Sequence, residues 1–168
     1  GGIGGEVPRL IEFNADTPVT LPETSILQWA LLKANGRDES KQFNLLYERL
    51  VQAFGVWKAN NADLWQDRKA EDKPPAVLFT YLDGLREDTV NLAVFDAAAQ
   101  EAGFQTHLAP LHDVTWADEG VFVLDGDAWQ RCDFVVKLIP WEFLVEDEPE
   151  LLKRIERLLF DRLVTIAN

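Results

Sequence analysis

Methionine is absent from the 168 residues, cysteine occurs once, at Cys132, and histidine twice, at His107 and His112. A single thiol excludes an internal disulfide and fits a cytoplasmic location. The two histidines lack i, i+4 helical spacing and neighbouring cysteines, so a zinc site has too few ligands, and both read as surface or loop residues. Positive charge is scarce as well, with 16 Lys and Arg against 29 Asp and Glu and a net charge of −13. Nucleic-acid binding needs clustered cations that release counterions from phosphates, so no nucleic-acid partner is expected. An acidic surface instead favours amines, polyamines or divalent metals. Long apolar runs are missing too. The most apolar stretch, Phe134 to Val145, is interrupted by Lys137, Pro140 and Glu142 and falls short of the ~20 residues of a membrane helix, so no membrane partner is expected.

Neither a serine-centred nucleophile elbow nor a glycine-rich loop between a strand and a helix occurs. The glycines among residues 1–6 precede a strand-like segment and read as a linker or expression scar. No basic or apolar leader and no initiator methionine are present, so the chain reads as an excised piece.

What is there is an α/β pattern in one domain over residues 7–168. Val7 to Phe13 predicts a short strand closed by the turn-forming Asn14 to Pro18. Pro22 and Glu23 open a helix that stops at Asn35-Gly36. From Phe43 the apolar positions Leu46, Tyr47, Leu50, Val51, Phe54 and Trp57 predict a long amphipathic helix ending in the polar run before Pro74. The continuous run Ala76 to Leu82 predicts a strand covered on both faces. A helix over Thr89 to Ala102, a strand over Phe104 to Ala109, a hairpin at Asp125-Gly126 and a buried strand over Asp133 to Leu138 follow. Leu151, Leu152, Ile155, Leu158, Leu159, Leu163 and Ile166 recur at helical spacing up to Asn168, an apolar face that expects more protein. The fold class is therefore a three-layer α/β domain with a mainly parallel sheet flanked by helices.

Two places invite chemistry. Glu12 and Asn14 lie two apart on one strand, which puts both on one face and suits a hard cation such as magnesium. Alternatively, Asn14 and Asp16 hydrogen-bond their own turn. Arg86-Glu87-Asp88-Thr89 follows a strand and opens a helix, where open α/β sheets bind ligands. Asp88 or Thr89 as a helix N-cap is the structural alternative.

The segment Pro8 to Pro18 (PRLIEFNADTP) closely resembles the "EYNADTP" signature of the glutathionylspermidine synthase family, which includes bacterial acid–amine ligases. The resemblance continues through Gln28-Trp29, Gln42-Phe43-Asn44, Glu48-Arg49-Leu50, Glu87-Asp88-Thr89 and Lys137-Leu138-Ile139-Pro140-Trp141-Glu142, similar to "FKLYPWEW". It implies an ATP-grasp ligase that joins a small peptide-like carboxylate to an amine or polyamine through an acyl phosphate, with ATP as cosubstrate and Mg2+ as cofactor. By that resemblance Glu12 and Asn14 are the metal ligands, Thr17 and the nearby Thr20 bind substrate, and Glu87 is associated with the amine. Where the family often has a second Ser or Thr two residues beyond Thr17, this chain has Val19, so glutathione itself is not assigned as the substrate. The ATP-clamping lysines and later metal carboxylates of such ligases are not in these residues. The expectation is a substrate-side, pre-ATP-grasp-like portion that packs against the ATP-grasp portion of its own parent chain and is inactive alone. A non-catalytic binding module that keeps the fold is the rival reading.

Overall fold

The computed structural model describes residues 16–41, 44–84 and 86–168. The predicted first strand, with Glu12 and Asn14, lies outside them.

Among the described residues the strands in chain order are β1 (Ala76–Tyr81), β2 (Gln105–Pro110), β3 (Val114–Ala117), β4 (Gly120–Asp125), β5 (Ala128–Cys132), β6 (Phe134–Leu138) and β7 (Thr165–Ala167). Four of them form a parallel sheet in the order β2-β1-β6-β7, and the other three form an antiparallel ribbon, β3-β4-β5. The apolar run of β1 has a simple cause. Val77 and Phe79 point to one face of the sheet and Leu78 to the other, and both faces are covered.

One face carries α2 (Leu46–Asn60) and α4 (Arg86–Glu101), packed through Phe54, Leu92, Ala98 and Ala99. Aromatic rings meet edge to face there, with Trp57 4.9 Å from Phe134 and Phe104 5.1 Å from Phe134. The other face carries α5 (Trp141–Glu146), α6 (Pro149–Phe160) and the ribbon, packed through Leu144, Ile155, Leu158, Val121 and Val123. The helix opened by Pro22 comprises a π-helical turn, Glu23–Leu27, continuing into α1 (Gln28–Ala34). Helix α4 ends at Gly103, whose φ of +82° allows Phe104 N–H to reach the Ala99 carbonyl and Gly103 N–H the Gln100 carbonyl. The chain is thereby turned directly into β2.

Three expectations need correction. The helix predicted from Phe43 breaks at Asn60-Asn61, where the Asn61 side chain donates to the Trp57 carbonyl, and a separate short helix, α3 (Gln66–Ala70), follows. The helix predicted to run to Asn168 stops at Phe160, because Arg162 adopts φ +54° and Ile166 pairs with Val135 in the sheet. His107 is a buried residue of β2 rather than a surface one, and its ring lies 3.7 Å from Asp125 and 3.2 Å from the Gln105 amide. Burial holds its pKa below the usual histidine value, against the pull of Asp125. His112 is exposed, as expected.

Beneath β1 and β2, Arg68 of α3 donates to the carbonyls of Pro74 and Arg131 and to Gln105, and lies 3.7 Å from the buried Asp133. Cys132 is fully buried beside Asp133, and burial pushes its thiol up to about 12. Among the described residues, no helix is long and apolar enough to cross a membrane.

Candidate functional site

After β1 the chain turns at Asp83-Gly84 and opens α4 at Arg86, so the first turn of that helix lies at the carboxyl end of the sheet. The stretch from Asp16 to Pro22 lies against the same turn. Leu21 N–H donates to Asn91 Oδ1 at 3.0 Å, and Asn91 Nδ2 donates to the Glu87 carbonyl, also at 3.0 Å. Between the two segments runs an open groove of about 560 Å³, walled by Val19, Thr20, Pro22 and Glu23 on one side and by Arg86, Glu87, Val90 and Asn91 on the other. Two residues picked out from sequence, Thr20 and Glu87, therefore share one groove. Thr17 does not line it, although it belongs to the same segment. Glu12 and Asn14 lie outside the described residues.

The groove combines carboxylates with half-exposed aliphatic surface from Val19 and Val90. Such walls suit a ligand with a cationic group next to an alkyl segment. Asp88, the next residue, has its pKa raised by burial first and then by the charge of Glu87. Thr20 sits at φ +62°, a left-handed conformation that costs a β-branched residue of order 1–3 kcal/mol and persists where neighbouring bonds hold it. Neither Asp88 nor Thr89 is an N-cap, since α4 begins at Arg86. Thr89 lies inside α4, and its hydroxyl donates to the Arg86 carbonyl.

A second feature was not expected from sequence. Lys137, on β6, is buried, and its ammonium lies 3.0 Å from Asp16 Oδ1, 2.8 Å from the Ile139 carbonyl and 3.9 Å above the Trp141 ring. The other Asp16 oxygen, Oδ2, accepts the Trp141 N–H at 3.0 Å, one of the donors left unpaired at the start of α5, and Asn168 donates to Oδ1. The turn reading involves Asn14, outside the described residues, but the Asp16 carboxylate binds groups more than a hundred residues away. Burial pushes the Asp16 pKa up, but the Trp141 amide and the Lys137 ammonium together hold it below the ordinary value. Burial lowers the Lys137 pKa, opposed by Asp16 and Glu142. The available signal was Lys137 itself, since a lysine inside an apolar strand is seldom buried without a partner.

A larger cavity, about 630 Å³, lies on the opposite face between Leu82, Trp116, Phe143 and Arg154. Thr17, Thr20 and Glu87 do not line it, although His112 does, and Arg154 there is tied to the Trp116 carbonyl.

Comparison with known families decides what this arrangement belongs to. Residues 2–163 match the family described as glutathionylspermidine synthase preATP-grasp. The chain belongs to that family. It is also similar to a Haemophilus influenzae protein named "Putative acid–amine ligase", with 28% identity over 148 residues, which is 88% of this chain and 35% of that protein. The chain thus spans about a third of the length of this relative. Within this preATP-grasp domain, two stretches that resemble family signatures, Pro8 to Pro18 and Lys137 to Glu142, are linked through Asp16 by the Asp16–Lys137 pair and the Asp16–Trp141 bond.

Proposed function

We propose that this chain is the substrate-side portion of an ATP-dependent acid–amine ligase, in which a carboxylate is phosphorylated by ATP and the resulting acyl phosphate is attacked by an amine, giving an amide, ADP and phosphate. The observation that carries the reading is the meeting of Thr20 and Glu87 in one groove at the carboxyl end of the parallel sheet, in a member of this family. The Thr20 hydroxyl offers a hydrogen bond to the peptide-like acid. Glu87 attracts the cationic amine and orients it, or takes the proton it must lose before attack. Thr17, outside the groove lining, is assigned to the acid by the family resemblance alone. Magnesium, held by Glu12 and Asn14 as the family resemblance implies, would offset the repulsion between phosphates and carboxylate. ATP is assigned to the remainder of the parent protein, so the isolated chain is expected to be inactive.

The test is ADP release by the full-length protein with ATP, Mg2+, glutathione or a related small peptide as acid, and spermidine or a shorter diamine as amine. Release that requires both acid and amine is the expected result. Amine binding without ATP turnover, with any pair, would favour the non-catalytic module instead. Glu87→Gln should raise KM for the amine about tenfold, the size of one charge-assisted contact, with little change in melting temperature. An unchanged KM would remove Glu87 from the amine site.

A further inference from the structure

The bond that closes the groove at its base is made by a side chain that neither the motifs nor the family resemblance singled out. Asn91 is 6% exposed, and its two ends serve opposite walls: Oδ1 accepts the Leu21 N–H, next to Thr20, and Nδ2 donates to the main chain of Glu87. Leu21 is held on its other side as well, because Ser25 Oγ donates to its carbonyl at 2.6 Å. Upstream, the segment is fixed at Asp16 by Lys137 and the Trp141 amide. Thr20 therefore lies between two anchors, in a backbone conformation that a free segment would leave. An amide of this length offers an acceptor and a donor together, and neither leucine nor aspartate does.

We propose that Asn91 is a positioning residue that sets the spacing between the Thr20 and Glu87 walls and so governs how tightly the groove takes its substrate. This rests on reading the groove as a substrate site. The helix-internal bond to Glu87 is the lesser part, since that carbonyl lies within regular α4, whereas the Leu21 N–H faces a buried side chain of another element. Asn91→Leu, close in size, removes both bonds. Asn91→Asp keeps the acceptor for Leu21.

The test uses hydrogen exchange and kinetics on the full-length protein, with spermidine and glutathione as probes. In Asn91→Leu, the Leu21 amide should exchange at least about tenfold faster while the β1 amides keep their protection. KM for at least one probe should rise about tenfold, with kcat within about threefold. Asn91→Asp should restore the Leu21 protection and most of the KM. If Asn91→Leu does not fold, Asn91→Ala carries the same expectation. Unchanged Leu21 exchange, or faster exchange with both KM values unmoved, would overturn the role of Asn91. A wild-type protein without turnover would remove the ligase reading alone, and the exchange comparison would still uphold or overturn the anchoring by Asn91.

Discussion

Asp16→Ala should destabilise the protein by about 3 kcal/mol, because it leaves the Lys137 ammonium buried without its counter-charge. In a chain of this size that is a fall in melting temperature of roughly 6–12 °C. The loss has three sources. The ion pair goes, the first turn of α5 loses the acceptor of its Trp141 N–H, and Asn168 loses its bond to the carboxylate. Lys137→Met should cost less, about 1 kcal/mol, since Asp16 is one-third exposed and keeps the other two bonds, and a methionine fills the slot over Trp141. Equal losses in the two variants would contradict the argument from burial. The pH dependence has a definite sign. Asp16 is held below its ordinary pKa, so its contribution is complete above the unfolded value of ~3.9 and disappears as the pH falls through the folded value. Thermal melts in acid should therefore show a shallower limb in Asp16→Ala than in the wild type.

If the full-length protein is the proposed ligase, Glu12→Gln in it should lower turnover about 100-fold or more, the scale seen when one preorganised electrostatic contact to a developing charge is lost. The exchange is nearly isosteric, so the melting temperature should reflect less than ~1 kcal/mol. Raised magnesium should recover the part of the rate that is lost through weaker metal affinity. ATP turnover across a magnesium series, beside a melting curve, makes the check. Full activity would remove Glu12 from the metal site, and a collapsed fold would return it to a structural role.

The central strands β1 and β6 were legible because they are buried on both faces and therefore nearly all apolar, with Thr80 and Lys137 the exceptions. The short strand β7 was not. Its Ile166 continues the helical spacing of Leu159 and Leu163, and pairing with the distant β6 overrides that local pattern. His107 misled for a related reason: a strand's buried side is fixed by what packs on it, here the β4–β5 turn carrying Asp125. At the groove, Thr20 and Glu87 came from resemblance, because no spacing rule connects two segments so far apart. Asn91 and Asp16 left no periodic trace, since each is a single polar side chain whose decisive partners lie at least 70 residues away.

The burial of Cys132 also has a practical side. A thiol held near 12 is almost never ionised at working pH, whereas an exposed cysteine near ~8.5 is readily alkylated. A cysteine introduced at Val19 or Val90, both half-exposed on the rim of the groove, would thus take a maleimide dye while the native thiol stays silent. Fluorescence from such a dye would report groove occupancy in a protein that keeps its own cysteine.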